Sequence, residues 1–187
     1  GQSIDTVGSY FGMRKIQVIH DGDNYRIKLN DQMIFQVGVL DQGYWPDGLY
    51  TAPTDAALRY DIESAKWLGY NLIRKHMKVE PDRWYYWADR LGMLVWQDMP
   101  MGNNWSEWGQ NIYRDELRRM IDNLYNHPSI ITWVVFNEYW GEFDTRGIAG
   151  MVKRLDPSRL VIGATGYADE NTGDLVSFHT YGKIAFP

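Results

Sequence analysis

Asn126-His127-Pro128-Ser129-Ile130-Ile131-Thr132-Trp133-Val134-Val135-Phe136-Asn137-Glu138-Tyr139-Trp140 is the stretch on which the reading of the fold turns. Pro128 cannot continue a helix and biases His127 away from the α region, so a helix ends here. Ile130 to Phe136 is a continuous β-branched and aromatic run of strand length, the pattern of a strand buried on both faces. Asn137 and Glu138 stand where that run stops. A carboxylate at the mouth of a buried parallel strand is where α/β barrels place their chemistry. Taken alone, Asn-Glu is short enough to recur by chance, and Glu138 reads equally as a structural carboxylate paired with an arginine.

Working outward, strand and helix patterns alternate on both sides. Upstream, Tyr10 to Val18 ends in an alternating stretch, His20 to Asn24 is a turn cluster, and Tyr25 to Leu29 alternates again. Met33 to Val39 is more continuously apolar and reads as the first core strand. Thr54 is a helix N-cap, with Leu58, Ile62, Ala65 and Leu68 on one face and Gly69 as the stop. Asn71 to His76 is a short strand with a polar end. Pro81 opens a helix that Gly92 closes, and Trp84, Ala88 and Leu91 form its buried stripe. Met93 to Gln97 is the third strand and delivers Asp98. Tyr113, Leu117, Met120, Ile121 and Leu124 make the next helix face. Downstream, Ile148 to Leu155 is helical, Leu160 to Ile162 a fifth strand and Leu175 to Phe178 a sixth, leading to His179 and Tyr181.

Repeated strand–helix units imply a parallel sheet with helices outside it. An open doubly wound sheet carries a glycine-rich phosphate loop after its first strand, and Gly38-Val39-Leu40-Asp41-Gln42-Gly43 is no such loop. Polar residues stand instead at nearly every strand's C-terminal end: Asp41 and Gln42, Arg74 and His76, Asp98, Asn137 and Glu138, His179 and Tyr181. Many strands each giving one or two polar groups to a common rim is the barrel arrangement. The expected fold is therefore α/β, an incomplete (β/α)8 TIM barrel of about six strands. Six strands cannot close eight, so open edges are expected to invite self-association.

Composition narrows the partners. Lys and Arg number 19 against 24 Asp and Glu, a net charge of −5, without a long run of one sign. That balance argues against a nucleic-acid or anionic-membrane partner. Zero cysteines excludes disulfides and thiolate metal sites. No apolar run reaches the roughly 20 residues of a membrane span. Aromatic residues are abundant, with nine Trp and thirteen Tyr.

Six segments, in order, resemble the catalytic domain of glycoside hydrolase family 2, the retaining β-glycosidases that include β-galactosidases, β-glucuronidases and β-mannosidases. They are Tyr10 to Ile16, Gly69 to His76, Leu91 to Pro100, Asn126 to Trp133, Phe136 to Gly141 and Leu155 to Leu160. The resemblance implies that residues 1–20 end an immunoglobulin-like β-sandwich domain and that residues 21–187 form the first three-quarters of the barrel. It implies O-glycosyl hydrolysis of terminal β-linkages, a carbohydrate substrate and no cofactor, and it leans toward β-galactosidase-like activity and a periplasmic or secreted location. By position, Glu138 corresponds to the general acid/base and Asn137 to its sugar-holding neighbour. Arg74 and His76 correspond to sugar-subsite residues, and Tyr181 to the tyrosine that hydrogen-bonds the nucleophile. Asp98, Trp140 and His179 fall on the rim as further substrate contacts. The family's nucleophile, at the end of strand seven, has no counterpart before Pro187, so the 187-residue chain alone is expected to be inactive. Tyr139, Glu142 and Thr165-Gly166-Tyr167 depart from the commoner family residues.

The chemistry needs that inventory. Retaining hydrolysis uses two carboxyl groups about 5–5.5 Å apart across the glycosidic bond. The acid must stay protonated near neutrality, so its surroundings are expected to raise the Glu138 pKa. Trp84, Trp87 and Trp96 read as core. Two other classes compete: a metal-dependent barrel hydrolase with His76, Asp98, Glu138 and His179 as ligands, and a non-catalytic carbohydrate-binding or scaffold protein. The first strand's lack of His-x-His weighs against the metal reading, and no metal site is expected.

Overall fold

A computed structural model describes residues 4–102, 104–166 and 170–182. The chain begins with a small antiparallel sheet of β1 (Ile16–Asp21), β2 (Asn24–Leu29) and β3 (Gln32–Met33), in that order. Two-residue turns join its strands. Gly22 has φ 61° at the first, while Asn30 and Asp31 carry φ 50° and 65° at the second, the backbone that matches right-handed strand twist. Residue 20, where the resemblance implies a domain boundary, lies inside β1.

A five-stranded parallel sheet follows, ordered β4-β5-β6-β7-β8. Its strands are β4 (Gly38–Asp41), β5 (Leu72–Lys75), β6 (Leu94–Asp98), β7 (Ile130–Asn137) and β8 (Leu160–Thr165). Between them run α1 (Asp55–Trp67), α2 (Asp82–Leu91), α3 (Glu107–Leu124) and α4 (Thr145–Leu155). Thr54 caps α1 by accepting from the Ala57 N–H at 3.1 Å, and Gly92 ends α2 with φ 66°. No helix among the described residues is long and apolar enough to cross a membrane.

Two strand expectations need correction. The first barrel strand starts at Gly38, not Met33, because Met33 pairs with Lys28 and the Ile34 N–H bonds Ile27, completing the antiparallel sheet. The apolar run Met33 to Val39 therefore serves two sheets. Leu175 to Phe178 forms no ladder. Gly173, just before it, makes an isolated antiparallel bridge with Ile162, and the region is tied to β8 by Asp174 N–H to the Val161 carbonyl and Gly166 N–H to the Ser177 carbonyl. Among the described residues the partial barrel thus has five paired strands.

All eight residues of β7 are buried, as a strand with neighbours on both edges and cover on both faces must be. On the helix side, Ile73, Val95, Trp133 and Val161 pack against Ile62, Trp84, Leu117 and Val152. On the inner side, Leu72, Leu94, Ile131 and Leu160 cluster with Ile16, Val18, Ile27, Leu29 and Ile34. The antiparallel sheet thus covers the N-terminal ends of the parallel strands and leaves their C-terminal ends open. Alternation along β5 carries this division to its polar end. Arg74 faces inward, while Lys75 turns outward and is fully buried against Asp41, Glu80 at 2.9 Å and the Trp84 ring at 4.3 Å.

Candidate active site

The open ends of the strands enclose a cavity of about 680 Å³, lined in part by Gln42, Arg74, His76, Trp96, Asn137, Glu138, Phe178, His179 and Tyr181. That volume suits a small-molecule site. At its centre Arg74 makes a two-pronged contact with Asp98, Nε to Oδ1 at 3.0 Å and Nη2 to Oδ2 at 2.8 Å. Nη2 also donates to Asn137 Oδ1 at 2.9 Å and Thr165 Oγ1 at 3.1 Å, and the Thr165 hydroxyl donates to Asn137 Oδ1 at 2.8 Å. The ends of β5, β6, β7 and β8 are thereby stitched together by one guanidinium.

Glu138 follows directly. Its backbone N–H bonds the Thr165 carbonyl at 3.0 Å, then the chain turns with φ 52° at Glu138 and 65° at Tyr139. Two successive non-glycine residues in the left-handed region cost on the order of 1–2 kcal/mol each, and such conformations collect at functional sites. The turn directs the Glu138 carboxylate into the cavity, where Oε1 meets His179 Nδ1 at 2.5 Å and accepts from the Tyr181 hydroxyl. Hydrogen bonds from Tyr181 and His179 hold Glu138 below the usual carboxylate range, against the effect of burial. The expectation of a raised pKa therefore fails for this chain, because the two donors outweigh desolvation. Burial pushes the His76 imidazole down, with the Asp98 charge pulling the other way, and Gln42 Nε2 lies 3.0 Å from its Nδ1. Burial pushes Asp98 up while Arg74 opposes it.

The predicted residues thus divide. Arg74, His76, Asn137, Glu138, His179 and Tyr181 meet at one cavity. Asp98 does not line it: its side chain is 1% exposed behind Arg74, so it anchors the guanidinium. Trp140 is 62% exposed on the turn and is not part of the lining. Tyr181, expected beside a nucleophile, donates to Glu138 instead. Tyr167 lies outside the described residues. Trp96, read as core, lines the cavity, with its indole N–H on Gln36 Oε1 at 2.9 Å. Its position two residues after inward-facing Leu94 was the available signal. No three His, Asp or Glu among the described residues are placed to hold a metal ion.

A partial parallel barrel with a carboxylate at the end of its fourth strand and an arginine-centred rim has the arrangement in which barrel enzymes hold their active sites. Residues 51–184 match the family described as glycosyl hydrolases family 2, TIM barrel domain, and the chain belongs to that family. It is 27% identical over 186 residues to a β-galactosidase of Vibrio cholerae serotype O1, covering 94% of this chain and 18% of that protein. With a putative β-glucuronidase of Formosa agariphila it shares 32% over 147 residues, covering 75% and 17%. Among solved structures, a Parabacteroides merdae β-glucuronidase with glycerol in its active site superposes with a TM-score of 0.79 at 23% identity, covering 91% of this chain and 23% of that one. A β-galacturonidase from Eisenbergiella tayi bound to galacturonate gives 0.78 at 25%, covering 92% and 33%. The chain spans about a fifth of the length of the curated relatives it matches.

Proposed function

We propose that this chain forms the acid/base side of a retaining β-glycosidase site, with Glu138 as the group that protonates the leaving oxygen and later activates water. The observation that carries this reading is the Glu138 carboxylate, delivered by a strained turn at the end of β7 into a cavity with Arg74, His76 and Asn137. Arg74 and Asn137 orient the sugar ring's hydroxyl groups, His76 offers a neutral imidazole, and Trp96, Phe178 and Tyr181 present apolar surface to its C–H faces. Family membership supports a terminal β-linked sugar as the substrate, with a lean toward β-galactosides.

The mechanism needs a second carboxylate across the sugar. Glu142 does not line the cavity and is engaged by the Thr145 hydroxyl at 2.6 Å, while Asp98 is closed off by Arg74. The nucleophile is therefore assigned outside the described residues. A negative charge there would lift Glu138 toward the range a general acid needs, offsetting the two donors on Oε1. Without it the 187-residue chain binds sugar without hydrolysing it. That second state is the carbohydrate-binding reading, favoured by the lowered Glu138 pKa. The open edge at β4 is also proposed to support self-association.

Calorimetric titration of the chain with alkyl β-D-galactoside, beside a turnover assay on the same sample, tests this reading. Binding that His76→Ala and Glu138→Gln both weaken, without product formation, is expected. Unchanged binding in both variants would overturn the site assignment.

A further inference from the structure

Both donors that reach Glu138 reach the same oxygen, Oε1: His179 through Nδ1 at 2.5 Å, and Tyr181 through its hydroxyl. At its other ring nitrogen, His179 Nε2 lies 3.4 Å from Arg74 Nη1. A guanidinium carries donors only, so Nε2 is the accepting nitrogen, and a neutral ring then holds its proton on Nδ1. That is the nitrogen facing Oε1, so the ring donates to the carboxylate. Arg74 cannot turn to offer another arrangement, because Asp98, Asn137 and Thr165 hold its remaining nitrogens. A continuous line of contacts therefore runs from buried Asp98 through Arg74 and His179 to Glu138. Gly166 makes room for it. A Cβ there would stand 3.0 Å from Glu138 Cγ and 3.1 Å from His179 Nδ1, at a φ of +90° that side chains rarely adopt.

Resting on the reading of Glu138 as general acid/base, we infer that His179 is a positioning residue rather than a sugar contact. Locked by Arg74 as the Nδ1–H tautomer, it engages Oε1 together with Tyr181 and assigns the transferable proton to Oε2. The carboxyl group cannot exchange its two oxygens by rotation without breaking both contacts. The charged and titratable groups that face Glu138 among the described residues are Arg74 from β5 and His76 just after it, Asp98 behind Arg74 from β6, and His179 and Tyr181 from the segment after β8.

The test is histidine-selective 15N NMR of the intact 187-residue chain, paired with a 13C-carboxyl titration of Glu138. His179 is expected with a protonated Nδ1 and an unprotonated Nε2. His179→Ala should move the Glu138 titration to higher pH, since a donor to the ionised form is lost. His179→Asn, which offers an amide N–H near the former Nδ1, should move it back. A protonated Nε2, an Ala variant whose Glu138 titrates unchanged, or equal shifts in Ala and Asn would each overturn the inference. The tautomer is read on the parent chain, so it decides the matter even if a variant is too unstable to titrate. A failure of the glycosidase reading itself would appear as sugar binding that the His76 and Glu138 variants leave unchanged, and would leave this tautomer untouched.

Discussion

Asp98 was expected to touch substrate, and the structure makes it the anchor of Arg74 instead, a difference that Asp98→Ala resolves. The two side chains are 1% and 11% exposed, so solvent does little to screen them. Removing the carboxylate leaves the guanidinium with neutral partners alone, Asn137 Oδ1 at 2.9 Å, Thr165 Oγ1 at 3.1 Å and His179 Nε2 at 3.4 Å. Breaking a buried ion pair from one side costs about 3–5 kcal/mol, since the stranded charge keeps its desolvation penalty. A domain is stable by only about 5–15 kcal/mol, so the loss takes a large fraction of the total. Asp98→Asn keeps the shape and one acceptor, and should lose the smaller ~1.5–3 kcal/mol of charge-assisted bonding. Urea denaturation at neutral pH measures both through the transition midpoint, provided the slope is unchanged. Two variants within about 0.5 kcal/mol of the parent, with sugar binding nonetheless reduced, would refute the anchor and restore Asp98 as a substrate contact.

Further outcomes follow from the same structure. Asp89 is buried, which pushes its pKa up, but bonds from His127, the Ser129 N–H and Tyr10 together pull it below the usual range. A depressed folded pKa gives stability that is present above the unfolded carboxylate value and lost as pH falls through the folded one. Acid titration of stability should therefore decline below about pH 4, and Asp89→Asn should flatten that decline; an unchanged slope would contradict the reading. Because β4 pairs on one side only among the described residues, sedimentation of the chain should show mass rising with concentration, and a single monomeric species at all concentrations would argue against an open edge. Gly166→Ala, which crowds Glu138 and His179 at a φ of +90°, should raise the pH at which Glu138 titrates, whereas an unaltered titration would mean the two side chains do not depend on that space.

Much of this architecture was legible in local patterns. Pro128 and the apolar run behind it announced β7, and Thr54, Pro81 and Gly92 marked helix ends with ordinary capping chemistry. The rim was legible too, because polar residues at strand ends have few other reasons to interrupt apolar runs. What escaped depended on pairing that no local pattern encodes. Met33 to Val39 looks like one strand, yet Lys28 claims Met33 and Leu72 claims Gly38. Leu175 to Phe178 has strand composition but only scattered bonds to β8 and its following residue. Trp96 packs against the inner core cluster as read and lines the cavity as well, because an inward-facing indole in a barrel and a core indole share the same sequence neighbourhood. The contacts of His179 and Tyr181 on Glu138 close loops of more than forty residues, and their effect on its pKa follows from geometry alone.

The central proposal is that Glu138 is the acid/base group of this site, with the nucleophile outside the described residues. Sodium azide supplied to the 187-residue chain with an aryl β-galactoside tests it most directly. Azide bonds to the anomeric carbon from the α face as the glycosidic C–O bond breaks, and the departing oxygen takes its proton from Glu138 or leaves as a phenolate. The predicted result is no turnover without azide and α-galactosyl azide with it. Glu138→Gln should slow phenyl galactoside by about 10²–10⁴-fold, while sparing the dinitrophenyl substrate, whose leaving group needs no proton. Hydrolysis without azide by rigorously purified chain, or azide-dependent rates that ignore Glu138 for both substrates, would contradict the account.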